Sequence, residues 1–148
     1  MVQLERTGCG IATVAALAGV SYRTAQRSAR RLGIDAADDR LWSDTTPIRR
    51  LLQQYGLRAR RVKRRFVSWS ALPGRALLAI KWHRERGRPY WHWVVFIRQG
   101  RRGYVLDSAA ALKRHVRTDF GRMKPKWFIE VEKEASEPQA RLAKTRRP

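Results

Sequence analysis

The apolar pattern of this chain changes period partway along. Up to Gly56 apolar residues recur at helical spacing, and from Ala76 onward they come in strand-length runs. In the first part, Gly8-Cys9-Gly10 opens an Ala-rich stretch that predicts a helix over 10–17, stopped by Gly19. Ser21 is a good N-cap for a second helix over 22–32, closed by Gly33. The polar segment 35–45 reads as loop. Thr46-Pro47 starts a third helix carrying Ile48, Leu51, Leu52 and Tyr55 on one face. Leu57 to Lys63 reads as a short basic strand, and Ser68 to Leu72 as one helical turn. Strands follow over 76–82, 91–97, 104–106 and 127–131, with a charged turn over 84–89 and a hairpin turn over 99–102. Helices first and an antiparallel sheet second make an α+β chain, with the helices packed on the sheet. Its 148 residues suit one domain, here residues 1–131, followed by a basic tail, 132–148, too poor in apolar residues to be expected to fold.

Several classes drop out. No run approaches 18 apolar residues, so no transmembrane helix is expected. The N-terminus lacks the basic, apolar and small-residue regions of a secretory signal, and a cytoplasmic location is expected. The one cysteine, Cys9, allows neither an internal disulfide nor a zinc site built on several thiolates. The 33 Lys and Arg against 12 Asp and Glu give a net charge of +21, a surface that attracts nucleic acid or an acidic partner.

Cys9 stands at the expected start of a helix, where unpaired N–H groups and positive potential favour a thiolate. A small buried hydrophobe is the competing reading for a lone cysteine. A nucleophilic thiol needs a base, and the histidines are His83, His92 and His115. His92 opens the most apolar strand. Asp107 ends the next one, so a hairpin joining the two strands sets His92 and Asp107 side by side at its open end. Asp107 then orients the imidazole. His83 is the reserve base, and His115, in a weakly helical segment, reads as surface. Gln3, six residues before Cys9, offers a side-chain amide that with the Cys9 N–H makes an oxyanion hole.

Gln3, the CGIA of residues 9–12, the HWVVF of residues 92–96 and the VLDS ending at Ser108 together resemble papain-like bacterial cysteine peptidases that process double-glycine leaders. The resemblance covers roughly residues 1–110 and implies a papain-like fold. It implies Cys9 as nucleophile, His92 as base, Asp107 as orienting group and Gln3 as oxyanion donor. It also implies a peptide or protein substrate, and no metal or organic cofactor. The chain departs from that family at Gly8, where an acidic residue often stands, and at Ser108, where Pro is common.

A second resemblance competes. Residues 14–31 resemble the helix-turn-helix of lac-repressor-type DNA-binding regulators, with Tyr22, Arg23 and Arg27 set to face a groove and Arg30 and Arg31 near phosphates. A papain-like module that binds without catalysing is a third alternative. The cluster Arg58, Arg60, Arg61, Lys63, Arg64 and Arg65, six cations in eight residues, is the candidate polyanion site. Trp82, Trp91 and Trp93 read mainly as core and groove wall.

Overall fold

The computed structural model describes residues 1–134. Helix α1 (Cys9–Ala18) ends where Gly19 takes the left-handed conformation, φ 71°. Helix α2 (Tyr22–Arg31) is capped by the Ser21 side chain, which accepts from the Thr24 N–H at 3.1 Å. A 3-10 helix (Asp39–Trp42) interrupts the segment expected to be loop, started by Asp38, whose carboxylate accepts from the Arg40 N–H. Helix α3 (Thr46–Gln53) follows Thr45 without a side-chain cap; the Asp44 carboxylate accepts from the Thr46 N–H at 2.9 Å, and Pro47 sits in the first turn.

The strands β1 (Leu57–Ala59), β2 (Arg64–Arg65), β3 (Arg75–Glu85), β4 (Arg88–Gln99), β5 (Arg102–Leu106), β6 (Val116–Arg117) and β7 (Trp127–Lys133) form one antiparallel sheet in the order β1-β7-β3-β4-β5-β6. β2 pairs with β7 beside β1. The strand expected over 57–63 is therefore confined to 57–59, and a second short strand follows just beyond it. The 68–72 segment is a hydrogen-bonded turn instead of a helical one. The ladder of the β3–β4 hairpin runs on to Glu85 opposite Arg88, so most of the expected charged turn is strand and only Arg86-Gly87 turns. Strand β7 passes the expected domain end by two residues, to Lys133; residues 135–148 of the expected tail lie outside the described residues. A short helix, α4 (Phe120–Met123), precedes β7.

Alternation along β4 divides the core in two. Trp91, Trp93 and Val95 join Leu77, Ile129 and the buried faces of α1–α3 (Ile11, Val14, Ile48, Leu51, Leu52). Val94 and Phe96 pack with Leu78, Ile80, Val105 and Phe128 on the other face, under Phe66, Trp69 and Phe120. The Trp93 indole N–H donates to the Leu41 carbonyl at 3.0 Å and so ties the 3-10 helix to the sheet. The first of these layers fixes the position of α1 against β4, and the candidate site forms where the first turn of α1 meets that strand. Among the described residues no helix is long and apolar enough to cross a membrane.

Candidate active site

Cys9 is the first residue of α1 and is fully buried, with the Trp93 backbone N–H directed at its sulfur at 3.5 Å. The N-cap, Gly8, supplies no side-chain cap, so the first-turn N–H groups stay uncovered by side chains. The two flanking glycines serve internal packing. A Cβ on Gly8 would collide with the Tyr22 hydroxyl, and one on Gly10 would lie 2.5 Å from Ile48 Cδ1.

His92 and Asp107 meet at the open end of the β4–β5 hairpin. Its register sets Val95 opposite Leu106, and Asp107 stands one residue beyond. His92 Nε2 lies 2.7 Å from Asp107 Oδ1, with the two side chains 14% and 1% exposed. Burial disfavours the imidazolium, but the hydrogen bonds to Asp107 and Cys9 outweigh it and raise the imidazole pKa from 6.5 to about 9. Burial likewise works against the Asp107 carboxylate. The His92 hydrogen bond and charge, with the Ala109 N–H and Arg117, still hold its pKa down to about 2. Cys9, His92 and Asp107 thus cluster in the arrangement of a catalytic triad.

Arg117, on β6, is the residue that sequence reasoning misses. Its guanidinium donates to Asp107 Oδ2 at 2.9 Å and grips Asp119 with two further N–H groups, at 2.9 and 2.7 Å. A two-residue strand leaves no periodic signal to announce it.

Gln3 lies beside the cluster, ahead of the turn over 6–8, and its backbone N–H donates to the Ser108 carbonyl at 3.1 Å. Its Nε2 donates to the carbonyls of Glu5 and Arg6 at 3.0 and 2.9 Å, and its Oε1 accepts from the Ser108 hydroxyl at 2.8 Å. Both amide hydrogens are therefore engaged by main chain. His83 is exposed; its Nδ1 donates to the Lys81 carbonyl at 2.9 Å and its Nε2 lies 3.3 Å from Glu85. His115 is half-buried and non-helical. Its Nδ1 donates to the Asp107 carbonyl at 2.8 Å, while its own carbonyl accepts the Asp107 N–H.

The helix-turn-helix expectation meets a different surface. Tyr22, expected to face a groove, is 5% exposed and its hydroxyl donates to Glu5, which also accepts from the buried Gln26. Only Arg23, Arg27, Arg30 and Arg31 remain outward on α2. At the basic edge, Arg58 pairs with Glu132 at 2.5 Å and Arg60 with Glu130 at 3.0 Å. Lys63 and Arg64 lie over the rings of Trp127 and Phe128. Arg61 and Arg65 make no ion pair among the described residues.

No family model matches the chain, and no curated protein matches it in sequence. Among solved structures it is similar to a double-glycine-motif protease from an AMS/PCAT transporter in complex with the leader peptide. The identity is 17% and the TM-score 0.54, over 90% of this chain and 89% of that one. At this identity the likeness is one of fold: N-terminal helices on a large antiparallel sheet.

Proposed function

We propose that the chain is a papain-like cysteine peptidase that cleaves a peptide bond by thiol acyl transfer. The observation that carries this reading is the 2.7 Å contact of His92 with a buried Asp107, at the point where Cys9 begins α1. Asp107 takes Nε2, which leaves Nδ1 for the sulfur. His92 accepts the thiol proton, and the resulting thiolate attacks the substrate carbonyl carbon. The oxyanion is met by the Cys9 N–H and by Gln3, whose amide must release one of its two main-chain carbonyls to donate. The imidazolium then protonates the leaving amine as the C–N bond breaks and a thioester remains. Water, deprotonated by His92, hydrolyses the thioester. The leader peptide held by the structurally similar protease supports a peptide as the substrate class.

The test is incubation of the chain with a complex peptide mixture, with the new termini read by mass spectrometry. Cleavage that disappears in Cys9→Ala and His92→Ala is expected. The engaged Gln3 amide and the complete burial of Cys9 favour a second reading, a papain-like module that binds peptide without cutting it. That reading predicts peptide binding in the same mixture with no new termini.

A further inference from the structure

A cavity opens beside His92, lined by Arg6, Trp42, Lys81, His83, Tyr90, Trp91 and His92 itself. Arg6 and Lys81 bring two cations to it. Neither makes an ion pair among the described residues. The carboxylates nearest in the adjoining depression are Glu5, Asp39 and Glu85. Glu5 is engaged by Tyr22 and Gln26, and Glu85 faces His83, so Asp39 alone is left without such a partner.

Both cations are held in place by the fold. Ile80 pairs with His92 and His83 with Tyr90, so Lys81 and Trp82 together oppose the single residue Trp91, a β-bulge beside the site. Lys81 pays for this with a left-handed backbone, φ 53°, a conformation that lysine adopts at a cost and that marks positions where a side chain is re-aimed. The His83 ring pins the bulge by donating to the Lys81 carbonyl at 2.9 Å. On the opposite wall the Arg6 guanidinium lies over the Trp42 ring, 5.3 Å from its centroid, and the Arg6 carbonyl is held by Gln3. Two cations without an ion-pair partner, in a cavity walled by aromatic rings, suit a carboxylate: the rings exclude water and the charges replace it. The net charge of +21 steers anionic chains toward such a site.

We infer that Arg6 and Lys81 form a carboxylate subsite next to the reacting pair, so that the substrate is a peptide carrying an acidic group within a residue or two of the cleaved bond. This rests on the peptidase reading for its substrate, but the subsite itself is readable without cleavage. The carboxylate comes either from an Asp or Glu side chain or from the peptide's own C-terminus.

The experiment has two arms. In the first, three short acetylated peptides are titrated into the full chain with the Trp42 and Trp91 indole N–H resonances observed by NMR. They carry Glu with an amidated C-terminus, Gln with a free C-terminus, or Gln with an amidated C-terminus. At least one anionic peptide should shift these signals saturably and the neutral one should not. A response to the amidated Glu peptide identifies a side-chain site, and a response to the free C-terminus identifies a terminal one. Arg6→Gln with Lys81→Gln should weaken binding roughly three- to ten-fold, as expected for two half-exposed ion pairs, while Arg6→Lys with Lys81→Arg should retain most of it. Equal shifts from all three peptides, no shift from any, or anionic binding unchanged in the Gln pair would overturn the inference. In the second arm, cleaved bonds from the peptide mixture should be enriched in the same acidic group, and the enrichment should fall in the Gln pair. Cleavage without that preference overturns the inference and leaves the peptidase reading intact. Absence of cleavage with anion-selective binding overturns the peptidase reading and leaves the subsite intact.

Discussion

Arg117 and Asp107 form a buried ion pair, 2.9 Å between Nη1 and Oδ2, with the Arg117 side chain 15% exposed and that of Asp107 1%. Asp107 is thus shared between two cations: His92 on Oδ1 and Arg117 on Oδ2. Arg117 is in turn shared between two carboxylates, since Asp119 takes its remaining fork. The charges alternate from the imidazole outward to the surface.

Arg117→Met removes the cation that competes with His92 for Asp107. The His92 imidazole should then bind its proton more tightly, and its NMR titration should move to higher pH. The chain should lose about 2 kcal/mol in urea unfolding, because the partner carboxylate is left buried with one cation instead of two. Arg117→Lys keeps the charge but not the fork, and should recover part of both effects. A loss of stability with the His92 titration unmoved would mean that Arg117 only braces β6.

The pKa of His92, about 9, reflects two partners. Removing the sulfur in Cys9→Ala, or the carboxylate charge in Asp107→Asn, should lower the midpoint seen by imidazole NMR. His92 takes up its proton more readily folded than unfolded, so its contribution to stability is full below about pH 6.5 and fades as pH rises through about 9. For Asp107 the sign is opposite. Its contribution is full above about pH 4 and is lost as pH falls through about 2. Urea midpoints measured at pH 3, 5, 7 and 10 should therefore fall at both ends, and His92→Ala should flatten the alkaline fall.

Much of this site can be read from sequence because its parts sit on strong local signals. The aromatic and β-branched run Trp91–Ile97 can only be strand, and a hairpin turn near Gly100 fixes the register that sets His92 beside Asp107. Ser21 and Gly33 bracket α2 for the same local reasons. What escapes sequence reading is set by tertiary contact. The two-residue strands β2 and β6 exist only through their pairing with β7 and β5. Tyr22 reads as a surface residue after an N-cap, yet Glu5, seventeen residues away, draws its hydroxyl inward. The bulge at Lys81 carries no glycine or proline to mark it. Nor does the sequence announce why glycines flank Cys9: Tyr22 and Ile48 fill the space they leave.

Gly10→Ala tests that last point. The added methyl would sit 2.5 Å from Ile48 Cδ1, 2.9 Å from Ile48 Cγ1 and 3.1 Å from Trp93 Cδ1, between two side chains that are fully buried. Alanine favours helix over glycine by about 1 kcal/mol, but overpacking costs about 1–3 kcal/mol, so net destabilisation is expected. Gly10→Ala combined with Ile48→Val should recover part of the loss, because Val lacks the Cδ1 methyl. A Gly10→Ala chain as stable as the parent would show that Ile48 moves aside freely.

The basic edge divides into committed and free cations, and that division predicts how it binds polyanions. Arg58 and Arg60 are neutralised by Glu132 and Glu130, and the Arg49 guanidinium holds the carbonyls of Ala59, Arg60 and Arg61, which fixes the segment's backbone. Arg61 and Arg65 carry no such partner among the described residues, and Lys63 and Arg64 rest on aromatic rings that leave their charge uncompensated. Binding of a short single-stranded oligonucleotide should weaken linearly in log salt, as counterions are released from each phosphate that the chain neutralises. Arg61→Gln with Arg65→Gln should flatten that slope by about one unit for each phosphate no longer neutralised. Arg58→Gln with Arg60→Gln should flatten it less, because those two cations are already compensated by Glu132 and Glu130 and neutralise little phosphate charge. Slopes unchanged from the parent in both pairs would place the polyanion site away from this edge. A larger effect from the second pair would mean that the two carboxylates release their arginines when a polyanion arrives.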